Sequence, residues 1–544
     1  MKNSLYFGDN LDVLRESIAS ESVDLIYLDP PFNSARDYNI LFSSPKGQSS
    51  EAQITAFEDS WHWAEQAERE FGEIVRGGNT NVSEIVLALR RFLGENDVMA
   101  YVTMMANRLL EMHRVLKPTG SLYLHCDNTA SHYLKIVLDG IFGAENYRNE
   151  ITWKRTSTHS DSKTWSRNSD VLFFYTKGKV FTWNTPRDAH SSQYLKAKFR
   201  HDDGDGRGVY RLHDITSPSS RPNMMYEWNG FPWPEKGWRF ELATMQKMHD
   251  DNRIWYPKDK NGQLDYKKRP QVKRYLSEME GGVMGVVWTD IAPINSQAAE
   301  RLGYPTQKPL ALLERIVSAS SNEGDTVLDP FCGCGTAVHA AQKLGRNWIG
   351  IDITHLAVSL IEKRLKDGFP SIQFEVHGTP KDHGGASNLA QRDKYQFQWW
   401  ACSLVNAQPY QAKKKGSDGG IDGLIYFQDD STSHKKIVVS VKGGDNVNVA
   451  MVRDLAHVVV REKADIGLFV TLAPATKPMM TEAIKEGYYT SPVTGKAFPK
   501  IQILTIEGLM NGNERALYPD LAQGSTTFKK AKVEEKVTDQ KSMF

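Results

Sequence analysis

Val23-Asp24-Leu25-Ile26-Tyr27-Leu28-Asp29-Pro30-Pro31-Phe32 is the stretch that decides the fold. Its first six residues form a short apolar run, the pattern of a strand buried in a parallel sheet. The Pro-Pro pair then ends the ladder, because proline fixes φ and has no N–H to donate. Asp29 and Phe32 therefore stand at the carboxyl end of a strand, where open α/β sheets bind their ligands. An acid, a rigid turn and an aromatic face together suit the holding of an exocyclic amino group on a flat heterocycle stacked against the ring.

A second strand and turn lie far down the chain. Thr326-Val327-Leu328-Asp329 leads into Pro330-Phe331-Cys332-Gly333-Cys334-Gly335-Thr336, and a helix pattern follows from Ala337 to Leu344. Glycines let backbone approach a ligand closely, and a helix N-terminus adds the positive end of a dipole. A further strand, Asn347 to Asp352, ends in an acid about 20 residues beyond the loop, the spacing at which a carboxylate meets ribose hydroxyls. Alone, such a loop reads as a generic nucleotide site.

Together, Asp29-Pro30-Pro31-Phe32 and the glycine loop resemble the paired motifs of DNA amino-methyltransferases. The order, with the acidic tetrapeptide first, resembles the β class of that family. Tyr304-Pro305-Thr306-Gln307-Lys308-Pro309, before the helix pattern Leu310 to Val317, is similar to the segment beside the methionine moiety of S-adenosylmethionine (SAM) in that class. The resemblance implies a circularly permuted Rossmann-like α/β fold with SAM as cofactor. It implies catalytic roles for Asp29, Pro30, Pro31 and Phe32. It implies cofactor roles for Asp9, Lys308, Asp329, Phe331, Gly333, Gly335 and Asp352. Double-stranded DNA is the implied substrate, with a restriction subunit or a second copy as partner. Asp rather than Ser at position 29, with Asn33-Ser34 and Tyr38-Asn39, resembles adenine-modifying type III subunits; N4-cytosine is the alternative. C5-cytosine chemistry needs a cysteine nucleophile, typically after a proline, and none of the four cysteines follows one. A rival from another class is a nuclease or DNA-binding protein whose methyltransferase half only recognises DNA.

Composition sets the outer bounds. The chain has 544 residues, room for two or three domains, and 40% hydrophobic content supplies their cores. Four scattered cysteines, the absence of a long apolar run and an N-terminus without a signal-peptide core point to a reduced, cytoplasmic setting with no membrane. Cys332 and Cys334 read as small residues filling a glycine loop rather than as a metal pair. A net charge of +1 means that any nucleic-acid surface is local. No phosphate-loop motif of the GxxxxGK[ST] type is present.

Along the chain, residues 1–155 read as the catalytic half and 286–370 as the SAM-binding half. Gly8-Asp9-Asn10 begins a helix, where Asp9 serves equally as an N-cap or as a cofactor contact. Residues 45–95 suggest a helical insertion with Trp61 and Trp63 in its core. A helix from Val98 to Leu116 stops at Lys117-Pro118-Thr119-Gly120. The strand after it carries Asp127 to the edge of Asp29, with His125 as packing. Residues 156–285 interleave basic and aromatic side chains, among them Arg207, Arg211, Trp228, Trp233, Trp238, Lys273 and Tyr275. Such residues neutralise phosphates and stack on bases, and the resemblance to the β class implies that this insertion is the target-recognition region. Residues 371–392 read as a linker and 516–544 as a disordered tail.

Residues 393–515 start a new α/β pattern. Gly419-Gly420-Ile421-Asp422-Gly423 and Ser440-Val441-Lys442 resemble the Mrr-type branch of the PD-(D/E)xK nuclease fold. Active relatives hold a divalent metal with an Asp and a Glu or Gln. Here Ser440 replaces that second ligand, and Gln398 stands where a Glu is often found. Serine and glutamine carry no charge with which to hold a hard cation. The expectation is a nuclease remnant at Asp422, Ser440 and Lys442 with no established metal. Asp418 is an alternative ligand, and a combined restriction-modification enzyme is the alternative function.

Overall fold

The computed structural model describes residues 2–31, 37–43, 49–58, 62–127, 130–156, 163–188, 192–295, 298, 300–302, 304, 306–410, 419–429, 434–519, 527–528 and 531–534. Phe32, Asn33, Ser34, Trp61, Pro305 and Asp418 lie outside them. The chain divides into two compact units, one made of Met1–Asn184 with Gly285–Gln540, the other of Thr185–Met284.

The larger unit is built on a nine-stranded sheet. Its centre runs Leu116–Cys126, Val23–Leu28, Thr326–Asp329, Asn347–Asp352, Ser4–Phe7 and Glu375–His377, all parallel. Val23–Leu28 thus pairs with Thr326–Asp329, Leu25 opposite Val327 and Ile26 opposite Leu328. Two motifs from distant parts of the chain become neighbours, and both acids leave the sheet at the same edge. Leu25, Ile26 and Leu28 are fully buried, each contributing about 1.5–3 kcal/mol relative to exposure. Asp24, the polar interruption in this run, accepts from Lys117 Nζ (2.8 Å) and from Thr326 N (2.9 Å), fastening three segments. The far side of the sheet adds Ser169–Thr176 and Tyr147–Lys154 in antiparallel pairing, then Val287–Trp288.

A helix runs from Asp97 to Val115, capped by Asn96, whose side chain accepts from Met99 N. The expected helical insertion is corrected in its first part. Asp37–Ser43 pairs with Ser49–Glu58 as an antiparallel ribbon, and helices begin at Glu65 and Thr80. Isoleucine, threonine and phenylalanine in these segments favour extended backbone. Trp63 is half-buried against Phe71, with Arg90 over its ring.

The C-terminal part carries a five-stranded sheet ordered Gln408–Pro409, Gly423–Gln428, His434–Lys442, Ile466–Thr471 and Ile501–Thr505. The linker expected at 371–392 is corrected. Glu375–His377 is a strand of the large sheet, and His383–Arg392 is a helix that buries Ala386 and Leu389 in the C-terminal core. The disordered tail is corrected where it is described. Thr527 Oγ1 donates to Tyr426 O (3.0 Å), and Glu534 pairs with Lys343 (3.1 Å) and His339 (3.3 Å).

Thr185–Met284 contains a three-stranded antiparallel sheet of Ile254–Trp255, Gln271–Tyr275 and Tyr210–Asp214. The insertion expected from residue 156 therefore starts later, because Ser169–Thr176 belongs to the large sheet. Trp228, Trp238 and Tyr275 are buried, and Lys273 is buried in a pair with Asp203. Those four residues hold this unit together, whereas Trp233 and Tyr266 are exposed. Among the described residues no helix is long and apolar enough to cross a membrane.

Candidate active site

At the carboxyl edge of the large sheet lies a cavity of about 280 Å³. Asp29, Pro30 and Pro31 line it together with Asp329, Phe331 and Gly333. Asp9, Lys308 and Asp352 also line it. Every expected site residue of this half that the structure describes reaches the cavity except Gly335.

Each arrives there for a local reason. Asp29 is delivered by the end of its strand. One carboxylate oxygen, Oδ2, accepts from Lys308 Nζ. The other, Oδ1, is buried and has no hydrogen-bond partner among the described residues. An acceptor left unmatched in a buried position costs free energy of about 1–3 kcal/mol. A donor brought within reach of this oxygen would offset that cost.

Gly333 adopts φ +53°, a left-handed conformation that glycine takes without strain. A Cβ there would stand 3.2 Å from the Tyr304 ring. Its N–H donates to Asp352 Oδ2 (2.8 Å). Gly335 has a different role. With φ +74° it precedes the helix Thr336–Lys343, and a Cβ would meet Ile361 at 2.9 Å. It permits helix packing, so its requirement for glycine comes from the fold.

Asp352 accepts from Gly333 N and from Thr354 N and Oγ1. Burial pushes its carboxyl up to about 6, with those hydrogen bonds opposing the rise. Burial also pushes the Asp329 carboxyl well above the usual carboxylate range, with the charge of Asp29 nearby adding to it. Of the two sequence readings of Asp9, the structure shows the N-cap. Asp9 caps the helix Asn10–Ser17 by accepting from Leu11 N (2.8 Å), and it lines the cavity.

Several residues of the site are not anticipated from the sequence. Arg108 is buried in the Asp97–Val115 helix and grips both oxygens of Asp9 at 3.0 Å, with Glu70 at 3.4 Å. An arginine among Met104, Met105, Ala106 and Leu109 is its signal. Tyr27 lines the cavity and bonds His125 Nδ1 (3.0 Å), whose Nε2 meets Asp170 (3.2 Å). His125 is therefore part of a polar chain beside the cavity rather than packing alone. All four cysteines are buried free thiols.

The C-terminal residues also converge. Asp422 is buried; Oδ1 accepts from Gln398 Nε2, and Oδ2 accepts from Val441 N (2.6 Å) and Ser440 Oγ (3.4 Å). Lys442 Nζ lies 3.9 Å away. Among the described residues no group of three or more His, Cys, Asp or Glu is placed to hold a metal.

Comparison with known proteins places the chain in a family. A family model for N6 and N4 amino-methyltransferases, described as DNA methylase, matches residues 23–363. A second, described as restriction endonuclease, matches 389–494. The type II methyltransferase M.EcaI of Enterobacter cloacae is 29% identical over 68% of this chain and 70% of its own length. The Mod subunit of the type III enzyme StyLTI of Salmonella typhimurium is 26% identical over 63% of this chain. This chain spans about half of that subunit, 50% of its length. Among solved structures, the cytosine-N4-specific PvuII DNA methyltransferase aligns over 66% of this chain and 86% of its own, at 14% identity and a TM-score of 0.31.

Proposed function

The chain belongs to this DNA methylase family, and we propose that it is a site-specific enzyme moving a methyl group from SAM to the exocyclic amino group of a flipped base, with N6 of adenine as the target. One observation carries the reading: neighbouring strands from distant parts of the chain bring Asp29, whose Oδ1 has no hydrogen-bond partner among the described residues, and the glycine loop to one cavity.

The residues present fit the cofactor. The left-handed Gly333 leaves room for backbone contact, Asp352 would accept from ribose hydroxyls, and Phe331 and Asp329 would shape the loop around it. Lys308 and Asp9 would contact it from the other side. Bound there, SAM supplies an electrophilic methyl on a sulfonium leaving group. The protein's work is to position the amino group. A base must leave the duplex to reach this edge, since its amino nitrogen is otherwise paired and stacked. Phe32 would stack on it. Asp29 Oδ1 and the Pro30 carbonyl would accept its N–H groups, turning the nitrogen lone pair toward the cofactor. The nitrogen gains positive charge as it is methylated, and the Asp29 carboxylate stabilises that charge where it develops. Adenine is favoured by Asp at position 29 and by Asn33-Ser34 and Tyr38-Asn39.

The unit Thr185–Met284 would select the DNA sequence, with exposed Trp233 and surface arginines as candidate contacts. The likeness to type II and type III modification enzymes supports a place in restriction-modification, with a restriction subunit or a second copy as partner. The C-terminal domain would bind DNA, its Asp422 site being short of ligands for a divalent metal.

The test is modified-base sequencing of DNA from cells carrying the wild-type gene, Asp29→Ala, or no gene. One methylated motif appearing with wild type and lost in Asp29→Ala is expected, at a rate lower by about 10²–10³-fold, the scale for loss of one stabilising contact. Near wild-type methylation by Asp29→Ala refutes the site. A modified cytosine refutes the adenine assignment alone.

A further inference from the structure

Lys308 and Asp29 form an ion pair in which both side chains are nearly buried, 11% and 15% exposed. The pairing is chemically awkward for the proposed reaction. A cation on Asp29 Oδ2 opposes the positive charge that must develop on the amino nitrogen at Oδ1. For full effect the ammonium has to leave.

The chain on either side of it is anchored. Gln307 Nε2 donates to Glu300 O (2.6 Å), Gln307 Oε1 accepts from Leu302 N (2.8 Å), and Leu310 N donates to Glu300 Oε2 (3.0 Å). The backbone on both sides of Lys308 is pinned, and four methylenes of lysine remain as a flexible arm. Asp170 and Asp329 also feel the Lys308 charge, so the ammonium sits among several acids. The second cation lining the cavity, Arg108, is engaged by Asp9 and Glu70. An anion entering this cavity competes with Asp29 for Lys308 and with Asp9 and Glu70 for Arg108.

We propose that Lys308 is a switch shared between Asp29 and the α-carboxylate of the cofactor, so that filling the cofactor site frees Asp29 to receive the base. The proposal rests on the cofactor assignment above, and it gives the enzyme an order of events. Before the cofactor is present, Lys308 offsets the charge of Asp29, which then grips an amino group weakly. Afterwards the full negative charge is available. Lys308 is a positioning residue in this scheme, acting on the reaction through Asp29.

Calorimetric titration of the full chain tests this without a known DNA target. The probes are S-adenosylhomocysteine, which carries the α-carboxylate but no sulfonium, and methylthioadenosine, which lacks the amino-acid moiety. Lys308→Met should weaken S-adenosylhomocysteine about tenfold, the scale of one charge-assisted hydrogen bond. Asp29→Asn removes the competitor and should tighten it about threefold, a smaller step because part of the pair's energy is screened. Methylthioadenosine should respond to neither change. The double variant decides the mechanism: Asp29→Asn should have no effect once Lys308 is Met. Tightening that persists there is simple removal of negative charge and overturns the switch, as does an unchanged or weaker affinity in Asp29→Asn alone. Lys308→Gln replaces Lys308→Met if the latter fails to fold. If wild type binds neither probe, the cofactor assignment fails, and the switch falls with it.

Discussion

Trp399→Ala is expected to damage the proposed cofactor site although Trp399 belongs to the restriction-endonuclease-like part of the chain. Trp399 lies on the helix Lys394–Leu404 and is 5% exposed. It packs in one cluster with Tyr304, Cys334, Leu356 and Leu360. Tyr304 and Cys334 line the cavity, and the Tyr304 ring stands over Gly333. The same helix supplies Gln396, whose Oε1 accepts from His355 N (3.0 Å). Cutting a buried tryptophan to alanine costs about 3–5 kcal/mol. If about 1.4 kcal/mol of that reaches the cavity wall through a loosened Tyr304, affinity for S-adenosylhomocysteine falls about tenfold. Unfolding of a chain with several cores is not two-state, so scanning calorimetry should report a lowered transition rather than one free energy. Isothermal titration on the folded variant gives the affinity. Trp400→Ala is the control: it empties the C-terminal core rather than the shared cluster, so stability should drop while cofactor affinity holds. A Trp399→Ala protein with unchanged transitions and unchanged affinity refutes the coupling.

Three further outcomes follow from the same geometry. Gly333→Val should abolish S-adenosylhomocysteine binding, because a side chain at φ +53° is strained by about 1–2 kcal/mol and its Cβ meets Tyr304 at 3.2 Å; a folded variant with wild-type affinity on calorimetry moves the cofactor elsewhere. With Asp352 raised to about 6 by burial, its carboxylate is ionised above that pH and protonated below it; affinity should hold above neutrality and decline as pH falls through about 6, and a titration series in which Asp352→Asn keeps the same decline contradicts this. Incubating methylated and unmethylated target DNA with magnesium or manganese should give at most weak cutting, and robust cleavage lost in both Asp422→Ala and Lys442→Ala would make this a combined restriction-modification enzyme.

Asp29, Asp329 and Asp352 are legible in the sequence because each ends an apolar strand, and strand ends of a parallel sheet share one edge. That logic needs only local pattern and topology. The Lys308–Asp29 pair cannot be read this way, since it depends on the side-chain geometry of two segments far apart in the chain. The same holds for Arg108, which a helix pattern places on a face without saying which acid it meets. Composition misleads at three places. The glycines of His383–Arg392 suggest a linker, yet Asp382 caps a helix there by accepting from Gly385 N, and two apolar residues anchor it. The Lys/Glu-rich tail reads as solvated, yet Glu534 finds Lys343 and His339, whose hydrogen bonds and charges draw its carboxyl down to about 2. In Thr185–Met284, Trp228 and Trp238 resemble base-stacking aromatics, but a unit of about 100 residues needs large side chains for its own core. The Asp422 site shows the converse case, where residues singled out in the sequence lie together in the structure and geometry adds the meaning. Gln398, Ser440 and the Val441 N–H satisfy the carboxylate with neutral donors, and Lys442 adds a positive charge. An acid whose oxygens already accept from protein donors gains little from a cation and would have to give up those bonds to coordinate one. The neighbouring cysteine, Cys402, donates to Asp422 O, so the backbone of this turn is fixed as well. Asp422 in this arrangement stabilises the join between two strands and a helix, and that helix is the one that presents Trp399 to the residues of the cavity wall.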